Sequence, residues 1–190
     1  MPTTHLLSLH GFRSSPRSAK AQKVAALVPG WKGHSGLREW ACPQLPPSPA
    51  QAVALAQSLV RGWPTDTTAI VGSSLRGFYA TVLAQALGCR AAVINPAVAP
   101  ARDLAQHIGE LTHFHDPQDR FFFKPEFVGE LQAMHPYPIT RPERYWSLIA
   151  EGDEVLNWRE MVDHYPGASG KRLPGSDHAA VNVEDPGQFV

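Results

Sequence analysis

Ala69-Ile70-Val71-Gly72-Ser73-Ser74-Leu75-Arg76-Gly77-Phe78 is the stretch on which the reading of the fold turns. A short apolar, partly β-branched run ends at a glycine and two serines. An alanine- and leucine-rich segment to Leu87 begins at once. That pattern predicts strand, tight turn and helix. A residue at the tip of such a turn has its side chain pushed out of the sheet, and the amides and positive dipole end of the next helix point at the same spot. Ser74 occupies the tip. An exposed hydroxyl beside free backbone N–H groups is what acyl-transfer chemistry requires. The plainer reading is a strand-to-helix turn whose serines cap the helix. The Gly-x-Ser-x-Gly pattern is also imperfect: Arg76 stands where the second glycine belongs, and Gly77 comes one position late. Either Arg76 angles its side chain away from the sheet or the turn opens slightly.

Working outward, strands and helices alternate. Strands are expected at Thr4–Leu9, Thr67–Gly72, Arg90–Ile94 and Arg144–Ala150, with shorter ones near Arg38–Ala41 and Lys171–Leu173. Helices are expected at Ser18–Val28, Pro49–Arg61, Leu75–Leu87 and Trp158–His164. The first of these helices would bury Ala21, Val24, Ala25 and Val28 at helical spacing, and Pro29-Gly30 would end it. Ser48 with Pro49 marks the start of the second, and Gly88 closes the third. The main strands are apolar throughout instead of alternating, which implies a mostly parallel sheet with helices on both faces, an α/β fold. Ligands of such sheets bind at the carboxyl ends of the strands. The whole chain, 1–190, reads as a single domain, with 96–142 as a lid-like insertion. The insertion is rich in proline, carries Phe121, Phe122 and Phe123, and contains one expected helix, Pro125–Met134.

Bulk properties narrow the function. The chain has 190 residues, 43% hydrophobic, enough for a substantial core. Lys+Arg and Asp+Glu number 17 each, so no charge imbalance points to nucleic acid. Leu6 to Leu9 is too short for a signal sequence or membrane span. Cys42 and Cys89 form no CxxC pair and read as reduced and structural, which suits a cytoplasmic protein, monomeric or a small homo-oligomer.

Two further loops follow strands and carry chemistry-bearing residues. Glu151-Gly152-Asp153-Glu154 follows Arg144–Ala150, and Gly175-Ser176-Asp177-His178 follows the last short strand. Ser74, Asp153 and His178 therefore stand in the order Ser…Asp…His, each closing a strand. In that arrangement His178 takes the Ser74 proton on attack and returns it to the leaving group, while Asp153 fixes the imidazole tautomer. The amides of Leu75 and Phe12 would hold the oxyanion, Phe12 lying in the loop His10-Gly11-Phe12 after the first strand. His10 itself reads as a structural strand-end residue. His164 and Asp163 fall in an expected helix and Asp185 in the terminal segment, so they are poorer partners than His178 and Asp153. His113, His115, Asp116 and Asp119 match no metal-ligand spacing, and neither a metal nor another cofactor is expected.

Several blocks together resemble the small bacterial esterases of the YqiA-like family, compact α/β-hydrolases. They are Leu9-His10-Gly11-Phe12-Arg13-Ser14-Ser15-Pro16, Gly72 to Thr81, Ile94-Asn95-Pro96-Ala97-Val98, Gly152-Asp153-Glu154-Val155-Leu156 and Ser176-Asp177-His178. The resemblance implies cofactor-free hydrolysis of a carboxylic ester or thioester with a small to medium acyl group. It implies Ser74 as nucleophile, Asp153 as acid, His178 as base, and Phe12 and Leu75 as oxyanion amides. Arg76 departs from the family's glycine. A second reading follows from that departure: a hydrolase-fold protein that binds a small ligand with weak or lost catalysis.

Overall fold

The computed structural model describes residues 2–10, 22, 26, 30, 36–113 and 116–178. Six strands form one sheet in the order β2-β1-β3-β4-β7-β8: β1 His5–Leu9, β2 Glu39–Ala41, β3 Thr68–Ser73, β4 Arg90–Ile94, β7 Tyr145–Ala150 and β8 Ser169–Leu173. All five pairings in this sheet are parallel. The order reverses between β2-β1 and β3-β4, which opens a crevice at the carboxyl ends of β1 and β3.

Burial explains the parallel arrangement. β1 is buried at every position, and β3, β4 and β7 nearly so. Neighbouring residues enter opposite cores. Leu7, Leu9 and Ile70 pack with Phe78, Tyr79 and Leu83 of helix α2, Leu75–Leu87. Leu6 and Ala69 pack on the other side with Leu37, Trp40 and Val71. Each large side chain buried this way contributes about 1.5–3 kcal/mol.

Local chemistry sets the helix ends. Ser48 Oγ accepts the Gln51 N–H at 3.2 Å and starts α1, Pro49–Leu59. Gly88, at φ 74°, turns left-handed and donates its N–H to the Ala84 carbonyl at 2.8 Å, ending α2. Most of the helix expected over 18–28 lies outside the described residues. Gln22 and Ala26 are helical, and so is Gly30, which was expected beyond the helix end. All three are exposed, four residues apart, on the face opposite the expected buried one.

The insertion holds more structure than its composition suggests. Besides α4, Pro125–Ala133, it contains a short helix α3, Pro100–Leu104, and an antiparallel hairpin of β5, Gly109–His113, and β6, Asp116–Phe123. Phe123, Phe127 and Leu131 join the same core cluster as Leu7 and Phe78. Polar tethers hold the segment from outside, among them Gln85, which donates to the Pro136 carbonyl at 3.1 Å. Glu130 accepts from Ser48 Oγ at 2.8 Å and from the Ala50 N–H at 2.9 Å. Arg102 on α3 donates two bonds, at 3.3 and 2.8 Å, to Glu160 on α5, Trp158–His164. Among the described residues, no helix is long and apolar enough to cross a membrane.

Candidate active site

The turn after β3 is sharp. Ser74 has φ 56° and ψ −128°, a conformation sparsely populated by residues other than glycine. Its main chain is pinned to the end of β4: its N–H donates to the Ile94 carbonyl at 3.0 Å, and its carbonyl accepts from Ala97 N–H at 3.0 Å. Although Ser74 stands at the helix N-cap position, its side chain makes no capping bond. The first amides of a helix have no intrahelical acceptor, and Leu75 N–H is the first of α2.

The two glycines of the turn have separate duties. A Cβ on Gly72 would collide with the Arg76 carbonyl, so the backbone of α2 crosses directly over this residue. A Cβ on Gly77 would stand 2.8 Å from Pro96 Cβ, so Gly77 admits the chain leaving β4. The contact with Gly72 is made by the Arg76 backbone, not its side chain. That side chain is buried, and its guanidinium carbon stands 4.8 Å from the centre of the Tyr79 ring one turn along. Burial pushes its pKa down, with Tyr79 opposing the shift. The turn therefore forms without a glycine at position 76.

Asp153 and His178 meet across two loops. Gly152 N–H donates to the Ser176 carbonyl at 3.0 Å and draws the loops together. His178 Nδ1 lies 2.7 Å from Asp153 Oδ2, and the Asp153 side chain is wholly buried. The other carboxylate oxygen, Oδ1, accepts from Val155 N–H at 2.8 Å and Leu156 N–H at 2.7 Å. Burial raises the carboxyl pKa, but the imidazole and the two amides outweigh it and hold the group below the ordinary aspartate value. An ionised carboxylate only accepts, so Nδ1 carries the proton and Nε2 is left as a base. His178 N–H donates to Glu154 Oε2 at 3.0 Å. Among the described residues, His178 bonds through its ring to Asp153 and has no direct hydrogen bond to Ser74; the two are linked at one remove through the chain after β4.

The remaining expected residues are distributed as follows. His10 is buried at the end of β1. Phe12 lies outside the described residues, as do His115 and Asp185. His164 is bound within its own helix to the Glu160 carbonyl at 2.7 Å. Among the described residues, no group of three His, Cys, Asp or Glu side chains is placed to hold a metal ion. Both cysteines carry free thiols. Next to the Asp153 loop is a cleft of about 210 Å³ whose walls include Pro96, Val98, Leu156, Met161, Arg102 and Glu160. Sequence reasoning passed over Asn95 as a functional residue; it binds the His178 loop directly.

The same architecture occurs in solved structures of low sequence identity. Alpha/beta hydrolase domain-containing protein 10 from mouse matches at TM-score 0.67 and 16% identity, covering 94% of this chain and 84% of that one. Est1E from Butyrivibrio proteoclasticus matches at TM-score 0.67 and 15% identity, covering 95% and 82%. The esterase domain of a Rhodothermus marinus protein matches at TM-score 0.66 and 17% identity, covering 96% and 81%. The fold is that of the α/β hydrolases. A family model matches residues 5–188, nearly the whole sequence, and so the chain belongs to the YqiA-like family, described as Uncharacterised protein family (UPF0227).

Proposed function

We propose that this protein is a serine hydrolase that cleaves carboxylic esters or thioesters of small to medium acyl groups. Ser74 Oγ attacks the carbonyl carbon while its proton passes to His178 Nε2. Asp153 stabilises the imidazolium, and the Leu75 amide, with Phe12 as the partner expected from sequence, carries the developing oxyanion. Collapse expels the alcohol or thiol, which takes the proton from His178, and leaves Ser74 acylated. Water then repeats the sequence, its proton going to His178 and its oxygen to the acyl carbon, and the acid departs.

One observation carries this reading: the 2.7 Å pair of His178 Nδ1 with the buried Asp153 carboxylate, which leaves Nε2 free to accept a proton. The Ser74 backbone and the esterases among the structural relatives support it. The cleft beside the Asp153 loop, closed in part by the insertion, suits a substrate group of modest size. The test is activity-based labelling. A fluorophosphonate should attach at Ser74, mapped by mass spectrometry. Ser74→Ala and His178→Ala should each abolish labelling and turnover of p-nitrophenyl acetate. Full turnover by either variant overturns the assignment, and a series of esters with longer acyl chains measures the pocket.

A further inference from the structure

Ser74 and His178 close strands that are not neighbours. β3 and β8 are separated by β4 and β7. At about 4.8 Å per strand, their ends stand about 14 Å apart. The loop after β8 must therefore come back across β7 towards β4 to bring its imidazole to the serine. Something at the end of β4 has to receive it, and Asn95 stands there.

Asn95 is fully buried and has φ 43°, a left-handed backbone that asparagine tolerates better than most residues. Its Nδ2 donates to the His178 carbonyl at 2.9 Å and to the Asp177 carbonyl at 3.3 Å. Its Oδ1 accepts from the Ala150 N–H at 2.8 Å. Three partners of fixed polarity settle which way the amide faces. Two of these bonds hold the His178 loop, and the third reaches the Asp153 loop through Ala150. Ala150 ends β7, and its carbonyl accepts from Asp153 N–H at 3.3 Å. Ile94 and Ala97, on either side of Asn95, are the residues that pin the Ser74 main chain. Asp153 orients the ring at Nδ1, but a single contact on a ring does not fix where the loop carries it.

We infer that Asn95 is a positioning residue for His178: its carboxamide fastens the returning loop to the ends of β4 and β7 and so sets the imidazole in register with Ser74. The inference rests on the triad reading above. Glu154, which accepts from His178 N–H, holds the same residue from the other side.

Asn95→Asp is the selective probe. It keeps the size, the tolerance of a left-handed backbone and the acceptor for Ala150; ionised, it sets an oxygen against two carbonyl oxygens, and protonated it offers one donor in place of two. With folding checked by near-ultraviolet circular dichroism, kcat for p-nitrophenyl acetate should fall about a hundredfold. KM should stay within about threefold. Fluorophosphonate labelling of Ser74 should slow in parallel with kcat. His178→Ala, measured alongside, separates the two levels of argument. If His178→Ala stays active, the triad reading fails and this inference fails with it. If His178→Ala is dead while folded Asn95→Asp labels at the wild-type rate, the triad stands and the positioning role is refuted. A loss confined to KM also refutes it. Should Asn95→Asp not fold, Asn95→Gly, which accepts the same φ and removes the carboxamide, faces the same kcat criterion. Failure of both to fold would make Asn95 a residue of the fold alone and overturn the inference.

Discussion

Replacing Asp153 with asparagine should abolish activity more completely than deleting the side chain, and the geometry says why. Asp153 Oδ1 is held by two amides, Val155 at 2.8 Å and Leu156 at 2.7 Å. In Asp153→Asn the side-chain oxygen must remain there, because the NH₂ group would otherwise face two N–H donors. The NH₂ then points at His178 Nδ1, where Oδ2 now stands. Nδ1 becomes an acceptor, the ring proton moves to Nε2, and the imidazole can no longer take the Ser74 proton. An amide in this position of a triad costs about 10⁴ in kcat, equivalent to about 5 kcal/mol at 1.36 kcal/mol per tenfold. In Asp153→Ala the tautomer is free again. That variant loses stability, about 1–3 kcal/mol for a buried donor left without an acceptor. It should nonetheless retain a higher kcat than Asp153→Asn. The assay is turnover of p-nitrophenyl acetate with the labelling rate of Ser74 as a second readout, both on samples shown to be folded. If Asp153→Asn keeps activity within about tenfold of wild type, or exceeds Asp153→Ala, the tautomer argument is wrong.

Three further outcomes can be measured. Because the Asp153 pKa is depressed in the fold, its ionisation stabilises the protein above the ordinary aspartate value of about 3.9, and that contribution disappears as pH falls through the folded value; urea midpoints taken on acidification should drop, and less steeply for Asp153→Asn. Arg76→Gly should lower stability by about 1 kcal/mol through helix propensity, with a further loss from the stacking on Tyr79, while the labelling rate of Ser74 changes by less than about threefold; a large gain in rate would show instead that the arginine inhibits. Tyr165→Phe removes the hydroxyl bonded to Thr81 Oγ1 at 2.7 Å and to the Tyr137 hydroxyl at 2.9 Å, and should lower stability by about 1–3 kcal/mol, read as a fall in Tm, with kcat unchanged.

The alternating part of the chain was legible because its local signals agree with its burial. Apolar strands are buried nearly end to end, Ser48 caps α1 as its position before Pro49 suggests, and Gly88 closes α2 where expected. The hairpin of the insertion was not legible. Gly109–His113 and Asp116–Phe123 carry charged and polar residues and Pro117, all poor strand signals. A distant contact anchors the hairpin, because Phe123 inserts into the main core, and within it Arg120 donates to Glu110 at 3.1 Å. Arg76 raised two alternatives from sequence; in the structure its carbonyl stays packed over Gly72 and its side chain is buried with the guanidinium beside the Tyr79 ring. Asn95 had no readable signal. A residue before proline is ordinarily pushed to extended backbone, whereas here φ is 43° and the side chain serves a strand end and a loop 55 and 83 residues away. Contacts of that range exist only once the sheet has formed.

The choice between a nucleophile and a helix cap at Ser74 can be argued within this one protein. Among the described residues, two serines stand at helix N-cap positions. Ser48 has φ −67° and ψ 123°, accepts the Gln51 N–H, and does what a capping serine does. Ser74 has φ 56° and ψ −128° and caps nothing. A missing cap forgoes about 1 kcal/mol, and the backbone conformation costs about 1–3 kcal/mol more. A fold under selection for stability alone has no reason to carry both losses at one residue when its other serine carries neither. The restraints that hold Ser74 in place come from Ile94 and Ala97, on either side of the asparagine that grips the His178 loop. The strain and the histidine are thus anchored to the same short piece of chain. That shared anchor favours the proposed nucleophile role over a capping one, since a capping serine needs neither the strain nor a nearby histidine.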